Sequence, residues 1–450
     1  MRQRPVGRVL SDTAGYPVGM SSRPQRLAAA DEANLVLDHA GQVNVFLVAG
    51  QLAPGGFLGA DGTPDLGRLR AMVRERIAGL PQLRQIVVGS GHRHRWASAQ
   101  PDLEQHVRLC GAVDGVRGLE RLCGDLMGTP LPRDRPLWEL LVVPDVRRER
   151  VGIVLRIHHA VADGTSAVTI VQQLFDPVGA GPVGAASARL GGPGPGSGGP
   201  GPGSGGPGPS RRRWHSILVG LRRTATTLTA RGVGATALLG PRSSRRGVAF
   251  VDVDLAAVET HVRRRGATAN DALLAGTAAG YRAVLPAVGE PVPAALPVSV
   301  PVALERRGAS GNQVGVMLVR LPLDVPAAGD RLVLIAEQTR VEKVQAREQG
   351  TLELMRGPVG ASIMNRLARR QHLVAGFVTN VPGPAGRLQL AGAPVVAIWP
   401  VAVLAANVRL GVAATSYAGR LSCSIQFDAE YLPGAVFARA MADELERLSG

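Results

Sequence analysis

Val151-Gly152-Ile153-Val154-Leu155-Arg156-Ile157-His158-His159-Ala160-Val161-Ala162-Asp163-Gly164 is the stretch on which the reading of this chain turns. Its first seven residues are short, rich in β-branched side chains and interrupted by glycine, which predicts a buried strand. Gly164-Thr165-Ser166 offers a helix N-cap, and Ala167 to Phe175 carries an apolar helical pattern. The histidines therefore stand where a strand runs out into a loop, a place where a scaffold can hold a side chain rigidly in a cleft. Adjacent strand residues point to opposite faces, so one histidine at most faces a given cleft. That suits a single general base better than a two-histidine metal site. His159 and Asp163 stand four apart, a chelating spacing on a helix, but the strand before them and Gly164-Thr165 after them argue against a helix there. His92 and His94 follow no metal-binding spacing, and His92-Arg93-His94-Arg95-Trp96 reads as a solvated hairpin.

With 450 residues the chain has room for more than one core. Hydrophobic residues make up 45% and charged residues 19%, a globular balance. Aromatics at 3% leave few platforms for stacking bases, which weighs against a nucleic-acid partner. The net charge of +16 is almost wholly arginine, Lys343 being the sole lysine. It favours anionic partners such as phosphates, CoA-type molecules or an acidic lipid surface; a general bias toward Arg, Ala, Gly and Pro explains it equally well. Cys110, Cys123 and Cys423 are an odd, scattered set that fits a reducing cytoplasm and neither a disulfide scaffold nor a zinc site. Met1 to Gly19 has no apolar core of a signal peptide, and Met20 offers an alternative start. Leu388 to Val408 approaches bilayer-spanning length, yet Pro394, Pro400 and Asn407 make it two buried strands and a turn.

The expected organisation is a disordered leader over 1–23, a first subdomain over 24–177, a Gly/Pro-rich disordered linker over 178–213 and a second subdomain over 214–450. In the first, Pro24 to Leu37 and Leu66 to Leu80 read as helices, with a strand at Val43 to Gln51 and another at Glu139 to Val143 pairing with the histidine strand. In the second, Val248 to Leu255, Ala295 to Ala303, Val314 to Leu323, Ala375 to Val381, Val408 to Ser416 and Arg420 to Asp428 read as strands. Helices fall at Ala256 to Arg265, Asn270 to Leu285, between Ala327 and Arg370, and at Pro433 to Leu448. Each half mixes strands and helices, so the fold class is α/β, in α+β layers, each half a mixed sheet with helices.

Several ordered blocks resemble the bacterial wax ester synthase/diacylglycerol acyltransferase family, within the superfamily of chloramphenicol acetyltransferase and condensation domains. His158 to Gly164 completes its H-H-x-x-x-D-G signature, and Arg135-Pro136-Leu137-Trp138-Glu139 resembles its P-L-W element. Asn270-Asp271-Ala272-Leu273-Leu274-Ala275 resembles its N-D block. Gly311-Asn312, Asn380-Val381-Pro382-Gly383-Pro384 and Ser416-Tyr417-Ala418-Gly419 follow in order, so the likeness spans about Leu27 to Leu448. Two places depart. Ala29-Ala30-Asp31 stands where relatives carry a Pro-Leu-Asp-like segment, and Gly240-Pro241-Arg242-Ser243-Ser244-Arg245-Arg246 lacks the Asn of a P-R-T-x-x-N-like element.

The resemblance implies two chloramphenicol-acetyltransferase-like subdomains with a channel between them. It implies transfer of a medium- to long-chain acyl group from acyl-CoA to a fatty alcohol or diacylglycerol. His159 would be the general base, since a neutral imidazole takes a hydroxyl proton near neutral pH. No G-x-S-x-G is present, which disfavours an α/β-hydrolase serine triad. His158 would support the loop. Asp163 would orient His159 or, as the family implies, pair an arginine structurally. Gly164 would supply a backbone conformation that a side chain blocks. Asn270 is either an oxyanion donor at a helix N-terminus or a simple N-cap. Trp138 and Asp271 are placed beside the substrate, the first more as packing, the second also readable as a dipole partner. No metal and no cofactor is expected, acyl-CoA being a co-substrate. The expected location is cytoplasmic, with peripheral docking on the inner membrane or lipid droplets as a further option. The sequence is also compatible with two alternatives: an ester- or amide-forming enzyme of secondary metabolism, using a carrier-protein thioester, and a non-catalytic lipid-binding relative.

Overall fold

The computed structural model describes residues 24–38, 42–89, 94–147, 150–162, 164–178, 232–303, 314–348, 370–384 and 386–450. The leader 1–23, most of the linker, His92, Asp163 and Gly311-Asn312 lie outside them.

The first half runs β1 (Gln25–Arg26), α1 (Ala29–Leu37), β2 (Val45–Leu52), α2 (Leu66–Ile77), β3 (Gln85–Val88), β4 (Arg95–Ser98), α3 (Leu103–His106) and β5 (Val107–Leu109). Then come α4 (Gly115–Met127), β6 (Trp138–Arg147), β7 (Arg150–His158), α5 (Gly164–Leu174) and β8 (Asp176–Pro177). Past the linker follow β9 (Arg246–Asp254), α6 (Leu255–Arg263), α7 (Ala269–Ala287), β10 (Ala295–Ala303), β11 (Val314–Pro322) and α8 (Ala328–Glu348). The chain closes with β12 (Gly376–Val381), β13 (Leu388–Leu390), β14 (Ala393–Val401), β15 (Leu410–Tyr417), β16 (Arg420–Asp428) and α9 (Gly434–Arg447).

A seven-stranded sheet, ordered β5-β6-β7-β2-β14-β13-β8, builds the first half, and a six-stranded one, β11-β10-β12-β15-β16-β9, the second. β1, β4 and β3 form a small third sheet. The helix drawn from Pro24 thus starts later, at Ala29, because Gln25 and Arg26 pair with Trp96 and Arg95. Trp96 is itself partly buried against the core, and the His94 ring lies 3.6 Å from the buried Glu32 carboxylate. That corner is therefore less solvated than its composition implies.

The two sheets do not divide at the linker. β13 and β14 lie beyond it in sequence but belong to the first sheet, where β14 runs antiparallel to β2 with Val401 opposite Leu47. The crossover is locked by Tyr417 at the end of β15. Its hydroxyl accepts from Leu388 N–H at 2.9 Å and donates to Val395 C=O at 3.0 Å. Trp399 of β14 stacks on Phe250 of β9, ring centroids 4.6 Å apart, and donates to the Asp252 carboxylate at 2.9 Å.

Alternation along β2 and β7 divides the first half into two cores. Phe46, Ile153, Leu155 and Ile157 pack with α2 and α5 on one face. Val45, Leu47, Ala49 and Val154 pack with Leu119 and Cys123 of α4 and with Val248 of β9 on the other. In the second half, α7 and α9 cover the sheet, with Leu273, Tyr281, Phe437 and Met441 fully buried.

Candidate active site

β7 ends at His158 paired with Val45, and His159 N–H then donates to Asn44 C=O at 2.8 Å. The strand alternation continues through the pair. His158 turns toward the α4 side with Val45, whereas the His159 ring meets Phe46 edge-on, centroids 5.4 Å apart and planes at 71°. His158 is 1% exposed, whereas His159 is half-buried.

The neighbours of His158 fix its chemistry. Ala160 N–H donates to its Nδ1 at 3.0 Å, so that nitrogen carries a lone pair and Nε2 carries the hydrogen. Nε2 lies 3.4 Å from Asp38 Oδ2. Asp38 is the residue just past the end of α1. Burial alone would raise its carboxyl pKa; the His158 ring, the Asn44 N–H at 3.0 Å and Arg133 outweigh that and hold it below the usual carboxylate range. No motif pointed to Asp38. It is brought to His158 only because β2 pairs with β7 and sets α1 over that end of the strand.

Arg156, two residues earlier on the same face, is a buried charge inside the apolar strand. It pairs with Glu139, the residue opposite it on β6, and donates to Leu126 C=O at 3.0 Å and to Thr129 C=O. The arginine thus ties β7 to the end of α4, directly behind the histidines.

Other sequence candidates fall elsewhere. Trp138 is 1% exposed, stacked on His106 at 4.6 Å, with its indole N–H donating to Leu83 C=O at 2.8 Å. It is a core side chain and presents no face to a substrate. Asp271 is 2% exposed, and both its oxygens are engaged within the fold. One accepts from Thr268 N–H and hydroxyl, at 2.8 and 2.7 Å, and the other from Thr339 at 2.6 Å. Neither residue is available as a substrate contact. The N-cap of α7 is Thr268, in a capping box with Asp271, so Asn270 is the second helical residue and not the cap. Asn270 is half-buried, and its amide makes no hydrogen bond among the described residues. Gly164 opens α5, one turn earlier than the helix read from Ala167. Gly383 packs where a Cβ would overlap Ser416 C=O, which is why the Pro-Gly run can turn beside β15. Among the described residues no three His, Cys, Asp or Glu side chains converge to hold a metal ion, and no helix is long and apolar enough to cross a membrane.

Two family descriptions match this chain: the wax ester synthase/diacylglycerol acyltransferase catalytic domain over residues 21–197 and the WS/DGAT C-terminal domain over 310–449. A putative diacylglycerol O-acyltransferase of Mycobacterium bovis is 30% identical over 357 residues, 73% of this chain and 75% of that protein. The chain belongs to the wax ester synthase/diacylglycerol acyltransferase family. It is an acyltransferase. A probable diacylglycerol O-acyltransferase of Mycobacterium tuberculosis matches to the same extent, 30% over 357 residues, 73% of this chain and 75% of its own. The fold is that of the Marinobacter aquaeolei VT8 wax ester synthase/diacylglycerol acyltransferase, with a TM-score of 0.69 at 21% identity, over 95% of this chain and 100% of that one. The first condensation domain of the CDA synthetase shares it, with a TM-score of 0.60 at 17% identity, over 95% and 96% of the two chains.

Proposed function

We propose that this acyltransferase moves a medium- to long-chain acyl group from a CoA thioester to the hydroxyl of a fatty alcohol or diacylglycerol, with His159 as the general base. The observation that carries the assignment is the asymmetry of the pair. His158 is sealed, its Nδ1 occupied by Ala160 N–H and its Nε2 facing Asp38. Of the two, His159 is the one that is only half-buried.

In this reading the hydroxyl proton passes to His159 as the oxygen attacks the thioester carbonyl. The carbon–oxygen bond forms, the carbon–sulfur bond breaks, and the imidazolium returns the proton to the departing thiolate. No acyl-enzyme is required. Asn270, in the first turn of α7, is the side chain proposed to meet the carbonyl oxygen as charge develops. Asp163 and Gly164 keep their proposed roles of ordering the loop. CoA as donor draws support from the starter condensation domain of rhizomide synthetase, with a TM-score of 0.52, whose structure is a complex with C8-CoA. The net charge of +16 supports attraction of phosphates and peripheral docking on an anionic lipid surface.

The test is turnover of radiolabelled acyl-CoA against a panel of long-chain alcohols, diacylglycerol and amines, with products identified by mass spectrometry. His159→Ala should lower ester formation by about 10²–10⁴-fold with the circular dichroism unchanged. A variant as active as the parent removes the mechanism, and amide products or a strict need for a carrier-protein thioester redirect the substrate assignment.

A further inference from the structure

Asn44 stands at the centre of a buried polar chain that crosses from the second half of the molecule to the histidines. Its C=O receives His159 N–H at 2.8 Å and its N–H donates to Asp38 Oδ1 at 3.0 Å. Its side-chain amide donates to Asn34 C=O at 2.8 Å, and Asn34 in turn donates to His159 C=O at 3.4 Å. Its side-chain oxygen receives Gln42 Nε2 at 3.3 Å. Gln42 Oε1 receives Arg242 Nη2, also at 3.3 Å, and Arg242 donates as well to Leu404 C=O, just past β14. Gln42 and Asn44 are 5% and 4% exposed, so both amides sit inside the fold.

The far end of the chain is anchored in the second half. Ser243 donates to the fully buried Asp428 at the end of β16 through its N–H at 2.6 Å and through its hydroxyl, and Arg246 lies 3.6 Å from the same carboxylate. Gln42, Arg242, Arg246 and Leu404 line one small cavity on this seam. The segment Arg242 to Arg246, where the sequence departs from its relatives, is therefore fastened to one half and reaches into the other.

We propose that Gln42 and Asn44 are positioning residues that, through Arg242, register the His159 loop and the Asp38–His158 pair against the docked second half. This deepens the general-base reading and rests on it. Side chains from both halves must meet at one reacting carbon, and a displacement of about 1 Å costs on the order of 10²-fold in rate. A buried hydrogen-bonded chain transmits such a displacement because moving one member strains or breaks the bonds of its neighbours, and a buried amide left unpaired is costly.

Gln42→Leu cuts the chain and leaves Asp38, His158 and His159 in place. The expected result is a fall in kcat of about 10- to 100-fold with KM for acyl-CoA within about two-fold of the parent, and a displaced kcat–pH profile. Gln42→Glu, of the same size, keeps the acceptor for Arg242 and loses the donor to Asn44. It should give the same signature, and it guards against a folding failure of the leucine variant. Gln42→Leu combined with Arg242→Leu should lose no more than the worse single variant, since both break one chain. If both Gln42 variants turn over like the parent with superimposable pH profiles while His159→Ala is inactive, the relay is wrong and the general base stands. Multiplying losses in the double variant also overturn the relay. A fully active His159→Ala overturns both.

Discussion

Asp38 touches no residue of the H-H-x-x-x-D-G signature by sequence, yet it faces His158 Nε2 at 3.4 Å. Its carboxylate faces one nitrogen of the sealed ring, and the other nitrogen accepts from Ala160 N–H, which holds the peptide next to His159. Asp38→Asn should lower kcat by about ten-fold, less than the loss of His159, with KM unchanged. The same carboxylate contributes to stability. Its folded pKa lies below the ordinary value of 3.8, so the stabilisation is complete above that value and disappears as the pH falls through the folded pKa. Chemical denaturation of parent and Asp38→Asn should therefore converge on acidification; a stability gap that stays constant from neutral pH to the acid limit contradicts the assignment. The histidine pair was legible because its motif is contiguous. Asp38 and Asn44 were not, because pairing β2 with β7 is what brings them there.

The strands and helices were largely legible from periodicity, since alternation and apolar stripes are local signals. The predicted strand Ala295–Ala303 coincides with β10, and the pair of strands read between Leu388 and Val408 is β13 and β14. Element ends were the weaker part: α7 begins at Ala269 and is capped by Thr268, whose hydroxyl and whose partner Asp271 outcompete Asn270 as a cap. Two hairpins also carry strain that only backbone angles reveal. Ala418-Gly419 joins β15 to β16 at φ of 49° and 81°, and Ala391-Gly392 joins β13 to β14 at 46° and 83°. These are two-residue turns with both residues left-handed, where glycine fits and alanine is strained. Ala418→Asn should raise stability by about 0.5–1 kcal/mol, read as a higher denaturation midpoint with an unchanged slope. A lower midpoint would show that the half-buried methyl packs more favourably than the turn conformation costs.

At the scale of the molecule, the two halves are one structure because a strand pair from the second completes the sheet of the first. Tyr417 is the pin of that exchange, its hydroxyl bonded on both sides to strands that cross over. Tyr417→Phe leaves Leu388 N–H and Val395 C=O unpaired in a buried site and should cost about 1–3 kcal/mol. The loss should come as a single cooperative transition if the halves unfold together; early melting of one half alone would show that the crossover does not couple them.

Composition, the contiguous signature and the order of the blocks determined the α/β class, the family and the residues that end the histidine strand. These depend on neighbours along the chain, and such neighbours are fixed before folding. Which histidine is sealed, that Trp138 and Asp271 are spent inside the fold, and that Arg242 reaches Gln42 were decided by the tertiary structure alone. Those contacts (His158 with Asp38, Trp138 with Leu83, Asp271 with Thr339, Arg242 with Gln42) join residues far apart along the chain, and the burial they create has no counterpart in local sequence.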